Sequence, residues 1–517
     1  MAGLPLSLAL LSGLLLALSF PKFGHPSVAW LALAPLWLAV WHARRRHAGY
    51  AFLLGWLAGL VYFAGALYWL VRVMTVYGGL STPLAVIVAF LLMAYLALFP
   101  GFAAWAVGRG CRTLGAGALL LAPAAWAAGE LGRTYIWSGF PWALLGYSQV
   151  PVLPIAQGAS LVGVYGLSML LAWTSASAVY AFVAPRRRFV PAAAAAVAVA
   201  ALGVWGAARV RDGALTREGT PVRVGVVQGN FSQEEKWDPA LRDVIMNRYI
   251  GLSRAALAEG AAFVLWPESS LPFYFEHDRA GVAPIRRLAR ETGAAFLVGS
   301  DQIEQVTFVA GERPADARDR YYNAAFLVAP DGATAGVYRK MHLVPFGEYV
   351  PLKDLLFFVA PLVEAVSDFS PGTEPAILKI QGHLASTAIC YEVVYPRLIA
   401  GFVDRGSELL TTITNDAWFG RSSAAYQHWD QAVMRSIEQG RYLARAANTG
   451  ISGFADPYGR VLEATALFES AVRVREVRFL QGRTVYGRIG DSVAYAGLAV
   501  TVMLLVLTMG SAKRFFR

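Results

Sequence analysis

Eight runs of mostly apolar residues, each near the length of a bilayer crossing, are what most constrain this chain. They lie at 3–20, 27–42, 50–71, 83–107, 115–131, 158–184, 190–208 and 491–510. About 20 helical residues cross the ~30 Å hydrocarbon layer. In that layer every backbone N–H and C=O must be paired within the chain, so such segments become helices. The sequence therefore predicts an α-helical transmembrane bundle of eight helices, seven before a long polar stretch and one after it. Hydrophobic residues make up 56% of the chain and charged residues 15%, which excludes disorder and coiled coil for the whole. The first run lacks a basic segment before it and is followed by further runs, so it reads as an uncleaved helix and not a signal peptide.

Charge orients the bundle. The net charge of +11 invites a nucleic-acid reading, but its distribution removes it. Residues 1–211 hold 13 Lys and Arg and one acid, Glu130, while 212–512 hold 29 basic and 33 acidic residues. A nucleic-acid domain would concentrate the excess in the polar part. Arg44, Arg45 and Arg46 follow the second run, and Arg109 and Arg112 the fourth. Arg186, Arg187 and Arg188 follow the sixth, and Lys513, Arg514 and Arg517 the last. The opposite short loops carry only Lys22, Arg72 and Arg133. Positive clusters mark the cytoplasmic side. The run 115–131 is the weakest, being short and containing Pro123 and Glu130. Removing it would put Arg186–Arg188 outside, so it is counted as a crossing. The expected divisions are 1–211 for helices one to seven, 212–485 for an outside domain, and 486–517 for helix eight and a cytoplasmic tail. Two cysteines, Cys111 and Cys390, allow no disulfide framework and no CxxC metal site.

From 220 to about 480 the pattern becomes α/β. Short β-rich runs at 222–228, 262–266, 294–299, 324–328, 385–390 and 409–414 are separated in several places by helical stretches at 240–258, 282–292 and 425–447. Open α/β sheets gather their sites at the carboxyl ends of strands. Three such ends carry chemistry: 263–270 ends on Glu268, 337–343 on Lys340, and 387–392 on Cys390. The chain uses six lysines against 39 arginines, so a lysine beside Arg339 is not the default cation. Only a thiolate attacks a carbonyl. A carboxylate can take the thiol proton and return it. An ammonium stabilises the thiolate and the oxyanion that follows. Glu, Lys and Cys thus form an acyl-transfer set that requires neither a metal nor another cofactor. The backbone N–H of Tyr391 is a candidate oxyanion donor, with Glu392 beside it.

This ordered set resembles the nitrilase superfamily. With the membrane part, the chain resembles the apolipoprotein N-acyltransferase family over essentially its whole length. Phe20–Gly24, Gly139–Gln149, Lys340–Pro351 and Asn415–Gly420 carry that resemblance. It implies a nitrilase-type α-β-β-α sandwich with Glu268 as general base, Lys340 as electrostatic stabiliser and Cys390 as nucleophile. It implies a phospholipid acyl donor, a thioester on Cys390, and the N-terminal amine of a diacylglyceryl-cysteine apolipoprotein as acceptor. It further implies a monomer in the bacterial inner membrane with its site on the periplasmic side. Glu348 matches a second acid of that family's site. Asn323 is placed to position Lys340 or a loop. Trp237 matches a loop tryptophan near the site, and Trp418 and Phe419 an apolar loop suited to a lipid interface. His342 is assigned a structural role.

Two other readings use parts of the same evidence. A membrane-tethered nitrilase-type amidase would use the same three residues with water as acceptor. A transporter or scaffold would need no thiol, but Glu130 is the one acid in the first 211 residues and transport relays need ionisable groups in the membrane.

Overall fold

A computed structural model of the chain describes residues 3–305, 319–345, 347–349 and 369–512. Most of the segment 303–320, for which no family motif was found, lies outside those residues. So do Phe346, Val350 and Pro351 of the lysine motif and the tail residues Lys513, Arg514 and Arg517. The chain forms two compact units. One comprises the residues up to Gly213, Ser422–Glu438, and those from Arg483 on; the other is Ala214–Arg421 with Gln439–Gly482.

The first unit is helical. Among the described residues, six helical stretches are long and apolar enough to cross a membrane, not eight: Pro26–Ala43, Gly49–Ala66, Thr82–Tyr135, Ala159–Val183, Val190–Thr216 and Ser492–Met509. Two features account for the difference. Gly3–Ala17 has 15 helical residues. The fifth apolar run follows the fourth without an intervening loop, so the two count as one 54-residue stretch, although the chain reverses at Gly115 (φ 68°) and the fifth packs back against the fourth. Leu10, Ile87, Leu91, Phe182, Val197, Val204 and Val506 are exposed on these helices, the reverse of a water-facing surface.

Buried polar groups tie this unit together. Glu130 accepts hydrogen bonds from Trp126 Nε1 (3.1 Å) and the Leu145 backbone N–H (2.7 Å). Arg133 donates to the carbonyls of Phe140 (2.9 Å) and Trp142 (2.5 Å). The one acid of the early chain therefore pins the loop that carries the Gly139–Gln149 motif. Residues 422–438, which read from sequence as part of the α/β domain, pack within the helical unit. Trp142 Nε1 donates to Gln427 Oε1 (2.7 Å), and Arg435 Nη2 donates to the Tyr147 hydroxyl (3.0 Å). The helix Ala159–Val183 breaks at Gly163, where φ is 68°, and the Val164 N–H exposed by the break donates to Glu438 Oε1 at 2.9 Å.

The second unit holds two six-stranded sheets. The first contains β1 (Thr220–Gln228), β2 (Phe263–Leu265), β3 (Ala295–Glu304), β4 (Arg320–Val328), β5 (Thr334–Arg339) and β12 (Ala471–Phe479) in the order β12-β1-β2-β3-β4-β5. The second contains β6 (Leu378–Ile380), β7 (His383–Ile389), β8 (Leu409–Thr414), β9 (Leu443–Ala447), β10 (Gly453–Ala455) and β11 (Val461–Ala464) in the order β11-β10-β9-β8-β7-β6. Each sheet has three parallel strands at its centre, β1-β2-β3 and β7-β8-β9, flanked by antiparallel ones. Strands β2 and β8 are buried at every position, as expected where both faces are covered. The sheets meet face to face through β1 with β9 and β4 with β7. Helices Arg242–Ala258 and Arg279–Thr292 cover the first sheet, with Tyr249 stacked on Trp266 (4.8 Å) and Phe275 on Phe326 (4.4 Å). The expected helix 425–447 is shorter, ending at Gln439, because Gly440 (φ 61°) reverses the chain and Leu443–Ala447 pairs with β8.

Gly163 gives a stability test of the helical unit. A Cβ there would overlap the Tyr486 ring, at a backbone angle that side chains rarely adopt. Gly163→Ala is expected to destabilise the protein by about 1–3 kcal/mol, read as a lower thermal unfolding midpoint in detergent. An unchanged midpoint would contradict the tight fit.

Candidate active site

The three sequence-selected strand ends converge in the α/β unit. Glu268 lies three residues past the end of β2, Lys340 directly follows β5, and Cys390 directly follows β7. Cys390 opens a tight turn, Cys390–Val394, with φ at 54°. Ser269, immediately after Glu268, has φ 42°. Left-handed backbone at a residue other than glycine stores strain and recurs where a side chain must be presented in one orientation.

Lys340 sits between two carboxylates. Its Nζ lies 3.3 Å from Glu268 Oε1 and 2.9 Å from Glu348 Oε1. Asn323 Nδ2 bridges the same two oxygens, at 2.7 Å and 2.9 Å, and the Asn323 carbonyl accepts the Lys340 backbone N–H. The second oxygen of Glu268 accepts the Asn415 backbone N–H (2.8 Å), and that of Glu348 the Val344 N–H (2.8 Å). All four side chains are buried. Asn323 thus touches both acids, which is more than the sequence assigned to it.

Charge and burial set the protonation states. Burial alone would raise the Glu268 carboxyl, but the Lys340 charge, the Asn323 hydrogen bond and the Lys236 charge hold it below its usual range. Burial would lower the Lys340 ammonium, yet Glu348 and Glu268 keep it well above its usual value. Burial and the Glu268 charge push the Cys390 thiol far up, against the opposing pull of Lys340. The resting site therefore holds a carboxylate, an ammonium and a neutral thiol. The Thr414 hydroxyl also hydrogen-bonds that thiol.

Glu392 fastens the cysteine turn to the lysine loop. Its Oε2 accepts the Ile389 N–H (2.7 Å). Its Oε1 accepts the Met341 N–H (2.7 Å), the His342 N–H (3.0 Å) and the Tyr338 hydroxyl (2.8 Å). Burial raises this carboxyl to about 7. Tyr391 is buried with its ring edge against Tyr395 (5.3 Å), and His342 packs on Tyr395 (3.8 Å). Trp237 is 53% exposed at the end of the short helix Gln233–Lys236. Trp418 and Phe419 are half-buried in the turn Asp416–Phe419, which follows Asn415. Among the described residues, no group of three or more His, Cys, Asp or Glu side chains could hold a metal ion.

Sequence reasoning missed Lys236. It is 4% exposed, its Nζ donates to the Glu268 carbonyl (3.3 Å), and it interacts electrostatically with Glu268, Asp301 and Cys390. The rarity of lysine that singled out Lys340 applied equally to Lys236. Burial lowers its ammonium to about 8, against the opposing pull of Glu268 and Asp301. An unfolded lysine titrates near 10.4. Between those values the unfolded chain binds the additional proton, so this group makes the fold more stable as pH rises through the window. Lys236→Met should remove that slope, up to ~1.4 kcal/mol per pH unit. The check is the difference between wild-type and variant unfolding midpoints from pH 8 to 10. Parallel curves would mean that Lys236 stays fully protonated in the fold.

Comparison with known proteins places the chain in a family. Residues 12–177 match the apolipoprotein N-acyltransferase N-terminal domain, and residues 223–483 match the carbon-nitrogen hydrolase family. The apolipoprotein N-acyltransferase of Geobacter metallireducens is 41% identical over 504 residues, covering 97% of this chain and 94% of its own. That of Methylococcus capsulatus is 35% identical over 490 residues, covering 94% and 92%. A mutant of the Nesterenkonia AN1 amidase, from the nitrilase superfamily, overlaps 54% of this chain and 97% of its own, at 19% identity and a TM-score of 0.38. With both family regions present in order and the likeness running nearly end to end, this chain belongs to the apolipoprotein N-acyltransferase family.

Proposed function

We propose that the protein transfers an acyl chain from a phospholipid to the N-terminal amine of a diacylglyceryl-cysteine apolipoprotein, through a thioester on Cys390. The observation that carries this reading is the Glu268–Lys340–Cys390 cluster in a chain of that family. In the first half-reaction the Glu268 carboxylate takes the Cys390 proton as the sulfur attacks the ester carbonyl. The resulting oxyanion is met by Lys340 and the Tyr391 backbone N–H. An ammonium has three N–H donors, and Glu268 and Glu348 occupy two. When the C–O bond breaks, Glu268 returns its proton to the departing glycerol oxygen, giving a lysophospholipid. In the second half the acceptor amine attacks the thioester, Glu268 takes the amine proton, and the sulfur leaves and is reprotonated.

Glu348 and Asn323 hold Lys340 and Glu268 in register, and Glu392 holds the cysteine turn. Trp237, Trp418 and Phe419 contact the lipid chains. The bundle crosses the bacterial inner membrane eight times, with Thr82–Tyr135 supplying two crossings and Gly3–Ala17 one. The arginine clusters then face the cytoplasm and the α/β unit the periplasm. Two lipid-anchored substrates require a site that is membrane-bound, and both ends of the α/β stretch run into apolar helices.

Purified protein mixed with phospholipid should gain one acyl mass on the peptide containing Cys390, removable by hydroxylamine. Cys390→Ala should never gain it. Absence of an acyl-enzyme with any phospholipid would contradict the transferase reading, and acyl release to water at an unchanged rate without an amine acceptor would favour an amidase. Glu268→Gln, with the thiol intact, should slow acylation about 10²–10⁴-fold. Equal acylation kinetics would remove Glu268 as the base.

A further inference from the structure

The helical unit contains a basic cavity of about 400 Å³ lined by Arg44, Arg45, Arg46, His47, Cys111 and Arg112. That volume lies within the range of small-molecule sites. No carboxylate lines it, and the first acid in the sequence is Glu130. Several of its cations are anchored. Arg44 donates to the Trp41 carbonyl (2.9 Å) and stacks over the Trp41 ring (3.8 Å). Arg112 Nε donates to the Arg44 carbonyl (3.3 Å) and its Nη2 to the Arg46 carbonyl. Arg46 lies over the Tyr50 ring (4.8 Å). The 19-residue helix Ala48–Ala66 begins at this rim, with His47 as its N-cap, adding the positive end of a helix dipole.

Arginines serving only to orient a membrane protein need net charge near a helix end and nothing more. Here they line an open cleft, three of them (Arg44, Arg46 and Arg112) are held by carbonyls or rings, and they share it with a helix N-terminus, which together suit a phosphate. We propose that this cavity binds the phosphate of an anionic phospholipid of the surrounding membrane, at a site distinct from that of the acyl donor. A lipid is favoured over a free phosphate because the lining loop Arg44–His47 joins two apolar helices and Cys111 and Arg112 stand on a third, with Leu53 and Phe102 exposed on two of the three. The proposal rests on the membrane-spanning reading of the bundle and is independent of the Cys390 chemistry.

The test uses full-length Cys390→Ala protein, which cannot consume lipid as an acyl donor, in neutral detergent. Phosphatidylglycerol and phosphatidylcholine of identical chains are titrated, and bound lipid is counted by native mass spectrometry. One phosphatidylglycerol should be retained about tenfold more tightly than phosphatidylcholine. Adding Arg45→Gln and Arg46→Gln should abolish that preference, whereas Arg45→Lys with Arg46→Lys should keep most of it and report on folding through an unchanged unfolding midpoint. Millimolar inorganic phosphate should leave the lipid bound. Equal retention of the two lipids, full retention by the glutamine variant, or displacement by inorganic phosphate would each overturn the proposal.

Discussion

The site depends on one buried ammonium held between two buried carboxylates. An unpaired charge in the interior costs several kcal/mol, and here the Lys340 charge is compensated by two acids, Glu268 and Glu348. Their arrangement also divides the chemical labour. The Lys340 charge keeps Glu268 ionised, and burial, reinforced by the Glu268 charge, keeps the proton on the Cys390 thiol. A permanently ionised thiol would react with any electrophile. A thiol deprotonated only as a carbonyl arrives reacts when substrate is in place, which suits a nucleophile that awaits a lipid.

The fold supplies what this arrangement requires. Three strands from two facing sheets end at the same place, so groups 50 to 122 residues apart in the chain are positioned by backbone pairing and not by flexible loops. Short links complete the frame. Asn323 on β4 joins the two acids, Asn415 after β8 holds the free oxygen of Glu268, and Glu392 ties the cysteine turn to the residues following Lys340. Next to that turn, Asp416 is paired with Arg445 of β9 at 2.9 Å in full burial, which keeps a carboxylate near the thiol neutralised. Strain at Cys390 and Ser269 is sustained because these contacts over-determine both positions.

Much of this was legible in sequence because its signals are local. Apolar runs, arginine clusters and a strand ending on Glu, Lys or Cys are each visible within about 20 residues. What escaped the reading is long-range. Residues 422–438 lie between stretches of the α/β unit in the chain, and only side-chain partners such as Trp142 and Tyr147 assign them to the helical unit. The helix before Gly440 was extended too far because Leu443–Ala447 has helix-compatible composition and becomes a strand only by pairing with β8. Lys236 looks like a solvated charge in an acidic turn, and its burial depends on β2 ending beneath it. Counting membrane helices by length alone merges the fourth and fifth runs, since no loop separates them.

The claim that the resting thiol is neutral and that Glu268, not a standing thiolate, begins the chemistry can be tested directly. Alkylation of Cys390 by iodoacetamide, followed on its own peptide by mass spectrometry, reports the thiolate as pH is varied. The account predicts slow labelling with no plateau reached by pH 9, because burial and the Glu268 charge hold the thiol above its ordinary value. Rapid labelling already saturating near neutral pH would show a stable thiolate paired with Lys340 and would contradict it.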